Sequence, residues 1–179
     1  MIKLQNSLPN TIVVNGREFS IKTDFRYWLL FDEIRREPNL QVSDLAFLFD
    51  GEMPDLADIK ETMHRLMAFF TNPNSTPRGK GGKEKLMDYQ EDGEFLYSSF
   101  LMAYGIDLLD KNLSLHWHQF KALAIGLPKQ TMMREVIAMR GYTDDKRKPD
   151  AIAKELKRIW SLPDEIDEEI MREINAQMK

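Results

Sequence analysis

The sequence predicts a mainly α-helical fold, a helical bundle carrying a small N-terminal β-hairpin. Three observations predict it. Apolar residues recur at three- and four-residue spacing in segment after segment beyond Asp24. Glycine and proline cut that pattern into helix-sized pieces, as at Gly105, Gly126-Leu127-Pro128 and Gly141. One short stretch, T-I-V-V-N-G-R-E-F-S-I-K from Thr11 to Lys22, instead has two β-prone runs around an Asn-Gly turn.

The hairpin, residues 11–22, comes first. Asn15-Gly16 suits a type I′ turn, whose two central residues both need positive φ. Strands are expected at Thr11–Val14 and Arg17–Ile21. Two strands alone are marginal in water, so they must lie against helices or gain strands from another chain. Helices then fill 24–70. Asp24 is a good N-cap for a helix to about Arg36, with Phe25, Trp28, Leu29 and Phe31 inward and Tyr27 nearby. Glu37-Pro38-Asn39 stops it. Ser43 to Phe49 is too short to classify by period, and Asp50-Gly51 looks like a helix end. Pro54 stands where a first helical residue would. The stripe Leu56, Ile59, Met63, Leu66, Met67 and Phe70 follows it.

Thr71 to Lys85, T-N-P-N-S-T-P-R-G-K-G-G-K-E-K, is the clearest break. A flexible basic loop over 71–86 is expected. Gly79-Lys80-Gly81-Gly82-Lys83 lacks the G-x-x-x-x-G-K-[ST] spacing of a phosphate loop, and no apolar strand precedes it. It reads as a solvated linker.

The helical core is expected over 88–141. Its first helix begins near Asp88, with Glu91, Asp92 and Glu94 as dipole-favoured charges in the first turns rather than as a catalytic cluster. Phe95, Leu96, Phe100, Leu101, Ala103 and Tyr104 cover most of its circumference, so it is expected to be the central buried helix. Ser114 is the expected cap of the next, with Leu113, Trp117, Phe120, Ala124 and Leu127 lining one face. His116 and His118 are two apart, which on a helix points them to opposite sides, unable to share a metal. Gln130 to Arg140 forms the third, with Arg140 against its C-terminal dipole and Gly141 as a left-handed cap.

A C-terminal helix pair is expected over 149–178. Pro149 opens a basic helix with Ile152, Leu156, Ile159 and Trp160 on one side. Pro163 opens an acidic one with Ile166, Ile170, Ile174 and Met178 four apart. A short Ser161-Leu162 link would fold them antiparallel, charge against charge. That narrow isoleucine stripe suits a seam against one neighbour, either the basic helix or another protein. Residues 1–179 are read as one mostly helical domain.

Composition narrows the function. With no cysteine in the chain, disulfides, thiolate metal sites and cysteine nucleophiles are excluded. A net charge of −4 argues against general nucleic-acid or anionic-membrane binding. Nothing approaches the ~18 consecutive apolar residues of a membrane span, and no signal peptide is expected at the N-terminus. No nucleophile–base pair or metal constellation is visible, so neither enzymatic activity nor a cofactor is expected. The 11 methionines matter because methionine is over-used where a surface must adapt to a partner.

Several words in fixed order carry a resemblance. They are the Asn-Gly hairpin followed by Asp24-Phe25-Arg26, Asp88-Tyr89 with its acidic turn, and Phe95-Leu96-Tyr97-Ser98-Ser99-Phe100. Tyr104-Gly105-Ile106-Asp107-Leu108, Leu115-His116-Trp117 with Phe120-Lys121-Ala122-Leu123, Gly126-Leu127-Pro128 and Met139-Arg140-Gly141 follow. On these residues the chain resembles the bacteriophage gene-product-fifteen family of small tail-module proteins. It departs at His118, where a second aromatic beside Trp117 is expected.

The resemblance implies a protein of the tail module of long-tailed phages of Gram-positive bacteria. It is similar in context to tail assembly chaperones, which keep the helical tape-measure protein soluble while the tube polymerises. It implies no catalytic, cofactor-binding or metal residues. The expected place is the cytoplasm of the infected host; the alternative is a structural virion component at a tail or head–tail joint. The expected partners are the tape-measure protein or other tail proteins, with a homo-oligomer left open. Candidate partner-binding residues are Met132, Met133, Met139, Ile166, Ile170, Ile174 and Met178.

Overall fold

Asn15 and Gly16 adopt φ of 47° and 83°, the left-handed pair that a type I′ turn requires. They join β1 (Thr11–Val14) to β2 (Arg17–Ser20), antiparallel with Val14 opposite Arg17 and Thr11 opposite Ser20. The computed structural model describes residues 7–37, 40–71, 85–143 and 150–162. The expected loop over 71–86 and the Ile166–Met178 helix therefore fall largely or wholly outside the described residues. The architecture is mainly helical, with this hairpin at its N-terminal end.

The helices are α1 (Phe25–Ile34), α2 (Ile59–Thr71), α3 (Gly93–Tyr104), α4 (Trp117–Ile125), α5 (Met132–Arg140) and α6 (Ala151–Trp160). Val42–Leu48 and Leu56–Asp58 are 3₁₀ segments. Pro54 is not a first helical residue. Asp55 after it is extended, and the 3₁₀ turn of Leu56 leads into α2. Asp24 caps α1 as expected, accepting the Arg26 N–H at 3.1 Å.

The chain divides into two compact units, one within Met1–Gly81 and Phe100–Leu127, the other within Gly82–Ser99 and Pro128–Lys179. The division falls inside α3.

An almost unbroken column of rings fills the first unit. Phe100 stacks on Phe120 at 5.2 Å, Phe120 on Trp117 at 5.6 Å, and Trp117 on Phe70 at 5.1 Å. Phe70 meets Phe31 edge-on, Phe31 meets Trp28, and Trp28 stacks on Phe69. Such pairs add about 0.5–1.5 kcal/mol each beyond their burial. Val14, Phe19, Leu45, Leu48 and Leu66 close the core around them. Arg26 ties the loop after α3 to α1. Its guanidinium donates to the carbonyls of Leu108 (3.2 Å), Asp110 (2.6 Å) and Leu113 (3.0 Å).

The second unit is poorer in buried apolar side chains. Among the described residues they are Leu96, Met133 and Val136. The rest of its interior is polar: Asp88, Asp92, Ser99, Thr131 and Arg140. Ser99 Oγ accepts the Met133 N–H at 3.1 Å and so satisfies the start of α5.

α3 is less enclosed than its sequence suggests. Leu101 and Met102 are 45% and 63% exposed. Apolar residues all around a helix do not bury it when too few neighbours surround it.

Candidate functional site

Two polar clusters and one apolar face stand out. The first cluster closes the end of α2. The last carbonyls of a helix have no partner within it. Here α4 supplies them: His118 Nε2 donates to Phe69 O at 3.0 Å, Trp117 Nε1 to Phe70 O at 2.9 Å, and Lys121 Nζ to Phe70 O and Thr71 O at 2.6 and 2.8 Å.

The cap of α4 lies two residues later than the expected Ser114, so that Trp117 is the first helical residue. His116 is the N-cap. Its Nδ1 accepts the His118 N–H at 3.0 Å, and Gln119 returns a bond from its side chain to the His116 N–H. The capping box favours this start, and the Leu115 N–H is held elsewhere, by Asp24 at 3.3 Å.

The two histidines are therefore not on opposite sides. An N-cap residue is not helical, so the angular argument does not apply to it. Their rings lie 5.1 Å apart, and both face Phe69. His118 stacks on Phe69 at 4.5 Å and stands in for the aromatic expected at that place. Burial lowers the His118 pKa to about 4, opposed by the hydrogen bond to the Phe69 carbonyl, with His116 and Lys121 lowering it further. Burial also lowers His116. His116 uses its ring as donor and acceptor at once, holding Pro9 O through Nε2 at 2.9 Å while Nδ1 takes the His118 N–H. Among the described residues no three His, Asp or Glu gather as a metal site.

The second cluster is centred on Arg140. Its guanidinium makes a bidentate pair with Asp92, Nη1 to Oδ2 at 2.6 Å and Nη2 to Oδ1 at 2.8 Å. Nε donates to Trp160 O at 2.6 Å and Nη1 also to Leu86 O at 3.2 Å. Asp92 accepts the Asp88 N–H as well, and Asp88 pairs with Lys85. Arg140 is 7% exposed and Asp92 fully buried. Asp92 stands at the start of α3 and Arg140 in the last turn of α5, as expected, and the structure adds that the two form a buried ion pair. Gly141 is corrected, because its φ is −80° rather than left-handed. A Cβ there would lie 3.2 Å from Ile137 O, a tight approach, and in ordinary contact with Leu86 Cδ1 at 3.5 Å.

The apolar face belongs to α6. Asp150 caps this helix, accepting the N–H groups of Ile152 and Ala153 at 3.0 Å. Arg140 holds its far end, and Trp160 meets Phe95 edge-on at 5.4 Å. α6 packs on α5. Ala153, Leu156, Lys157 and Trp160 are half-buried, while Ile152 and Ile159 are 75% and 60% exposed. A recess of 540 Å³ on another side of the helix, lined by Ala151, Lys154, Glu155, Lys157, Arg158 and Ser161, carries an ion pair of Arg158 with Glu155.

The sequence-predicted surface residues fare differently. Met132 and Met139 are half-buried on α5. Met133 is fully buried, which removes it from any surface. It falls on the α5 side shared with Val136 and Arg140, three and seven residues on. Ile166, Ile170, Ile174 and Met178 lie outside the described residues. Ile152 and Ile159 were not among the candidates, although their spacing was visible. What the sequence could not show was that α5 would occupy only the neighbouring side of the helix.

The fold and these clusters define a mainly helical protein whose prominent surface feature is an apolar helix face. Residues 4–162 match the family described as Bacteriophage Gp15 protein, and the chain belongs to that family. No curated protein and no solved structure matches. Among the described residues no helix is long and apolar enough to cross a membrane.

Proposed function

We propose that this phage protein is a non-enzymatic tail assembly factor, a chaperone that holds the tape-measure protein during tail morphogenesis. The observation that carries the reading is the α6 face: Ile152 and Ile159 stand open on a helix clamped at its end by Arg140. A long amphipathic client helix lays its apolar side in such a place. Half-buried Met132 and Met139 on the adjoining α5 add side chains that adapt to varied partners. Family membership supports a structural or morphogenetic role in a phage.

Co-expression with a tape-measure fragment tests this. The wild-type chain is expected to keep the fragment soluble, and Ile152→Glu with Ile159→Glu to lose that ability while remaining folded. Normal holding by the double variant refutes the surface. Stoichiometric recovery of the protein in purified particles refutes the chaperone and favours the virion component.

A further inference from the structure

We propose that Asn15 is a site of spontaneous deamidation, that Asp58 restrains the reaction in the folded chain, and that the acidic product unfastens the hairpin from the start of α2. The reaction consumes water and needs no catalyst.

The chemistry comes from the sequence. The Gly16 main-chain nitrogen attacks the Asn15 Cγ. A C–N bond closes a cyclic succinimide, the Cγ–Nδ2 bond breaks, and the side-chain nitrogen leaves as ammonia. Water then opens the ring at either carbonyl. One opening leaves an aspartate; the other leaves an isoaspartate, whose main chain runs through the former side chain. A side chain on the following residue would crowd the attacking nitrogen, and glycine has none. Of the eight asparagines in the chain, Asn15 alone precedes a glycine.

Access and restraint come from the fold. Asn15 and Gly16 are both exposed at the tip of the hairpin. A Cβ at Gly16 would meet nothing within 4 Å, which leaves the attacking nitrogen open to solvent. The left-handed φ values of the pair, 47° and 83°, hold the turn. Asn15 Nδ2 donates to Asp58 Oδ1 at 2.7 Å, on a residue 43 positions further along, at the entrance to α2. Closing the ring swings Cγ onto the Gly16 nitrogen. That movement breaks the bond to Asp58 and takes Asn15 out of the turn geometry. The folded chain therefore reacts through its opened hairpin.

The same hydrogen bond gives the product its effect. A carboxylate at position 15 has no proton to donate to Asp58, and two negative charges then meet where one bond stood. Arg17, the cation nearest in sequence, is paired with Glu52 at 2.9 Å. An isoaspartate also lengthens the main chain of a turn whose tight form sets the register of β1 on β2. Ile12 and Val14 of β1 are buried, and α2 packs on that strand. A loosened turn is thus transmitted to the core.

The full chain is incubated at neutral pH and its peptides are followed by mass spectrometry. Conversion at Asn15 is expected to outrun that at Asn10 and Asn112, which are also exposed but precede Thr11 and Leu113. Equal conversion at the three overturns the site. Asp58→Ala, checked for folding by circular dichroism, is expected to react ~5-fold faster than wild type, the contribution of one exposed hydrogen bond to a charged group. In urea that unfolds both chains, wild type is expected to speed up and the two rates to converge. An unchanged or slower rate in Asp58→Ala overturns the restraint, as does a wild-type rate that is the same folded and unfolded. The deamidated chain, separated by its added negative charge on ion exchange, is expected to exchange the amides of β1 and β2 faster than the unreacted chain. Identical exchange overturns the unfastening.

Discussion

Replacing Arg140 with methionine tests what holds the second unit together. The arginine donates four hydrogen bonds, two to Asp92 and one each to Leu86 O and Trp160 O. Methionine keeps much of the stem's volume and removes all four. The largest loss is at Asp92, a fully buried carboxylate left with the Asp88 N–H but no cation. Breaking a buried pair from one side costs about 3–5 kcal/mol. The two carbonyls add of the order of 1 kcal/mol each if water does not reach them. That sum is comparable with the whole stability of a small domain, and the unit has only three buried apolar side chains among its described residues to set against it.

Changing both partners, Arg140→Met with Asp92→Leu, removes the stranded charge. The double variant is therefore expected to be at least ~2 kcal/mol more stable than Arg140→Met alone, since an apolar pair is often an adequate substitute for a buried ionic one. Urea unfolding followed by circular dichroism measures both, and amide exchange over α5 and α6 shows where protection is lost. The reasoning is refuted if Arg140→Met costs under 1 kcal/mol, or if the double variant is no better than the single.

Three further outcomes follow. His118 has a folded pKa near 4 against an ordinary 6.5, so between those values the unfolded chain binds more protons. Stability is expected to be fully present above pH 6.5 and to fall as pH is lowered towards 4, by at most ~3 kcal/mol from this residue. His118→Phe should flatten that acid slope in urea titrations while keeping the stack on Phe69. Lys121→Met takes the ammonium away from Thr71 O and leaves Phe70 O with Trp117 Nε1, and is expected to cost about 1 kcal/mol, with faster amide exchange in the last turn of α2. Gly16→Ala places a Cβ at φ 83° with nothing within 4 Å, so the cost is conformational, about 1–2 kcal/mol in thermal melts.

What was legible in the sequence was what is decided locally. Asn15-Gly16 dictates its turn through its own two φ angles, and Asp24 caps α1 through a bond two residues away. Helix existence was equally plain, because periodicity is a local property. Starts and ends failed where the deciding partner was not the usual one. Ser114 has the right chemistry for a cap, yet a histidine holding Pro9 O and taking the His118 N–H displaced it. Gly141 looked like a left-handed cap because glycine so often is one. Its backbone is right-handed, and the tight neighbour of a Cβ there is Ile137 O at 3.2 Å, four residues earlier.

The same distinction explains the site. Asp92 and Arg140 sit 48 positions apart, and each alone has an innocent reading at a helix end. Only together do they become the clamp that fixes α6 by its last carbonyl. That clamp decides which sides of α6 are free. Once Trp160 O is held by Arg140 and the Trp160 ring by Phe95, the rotation of the helix is set. The half-buried side with Ala153, Leu156, Lys157 and Trp160 is then spoken for, and Ile152 and Ile159 must point away. An apolar stripe broader than its packed side follows from the placement of one arginine. On the proposed chaperone reading, Arg140→Met should weaken client holding as well as stability, because it frees α6 to roll and bury its isoleucines. Ile152→Glu with Ile159→Glu, by contrast, should weaken holding while leaving stability nearly unchanged. Measured side by side, the two variants separate a surface that binds from a scaffold that presents it.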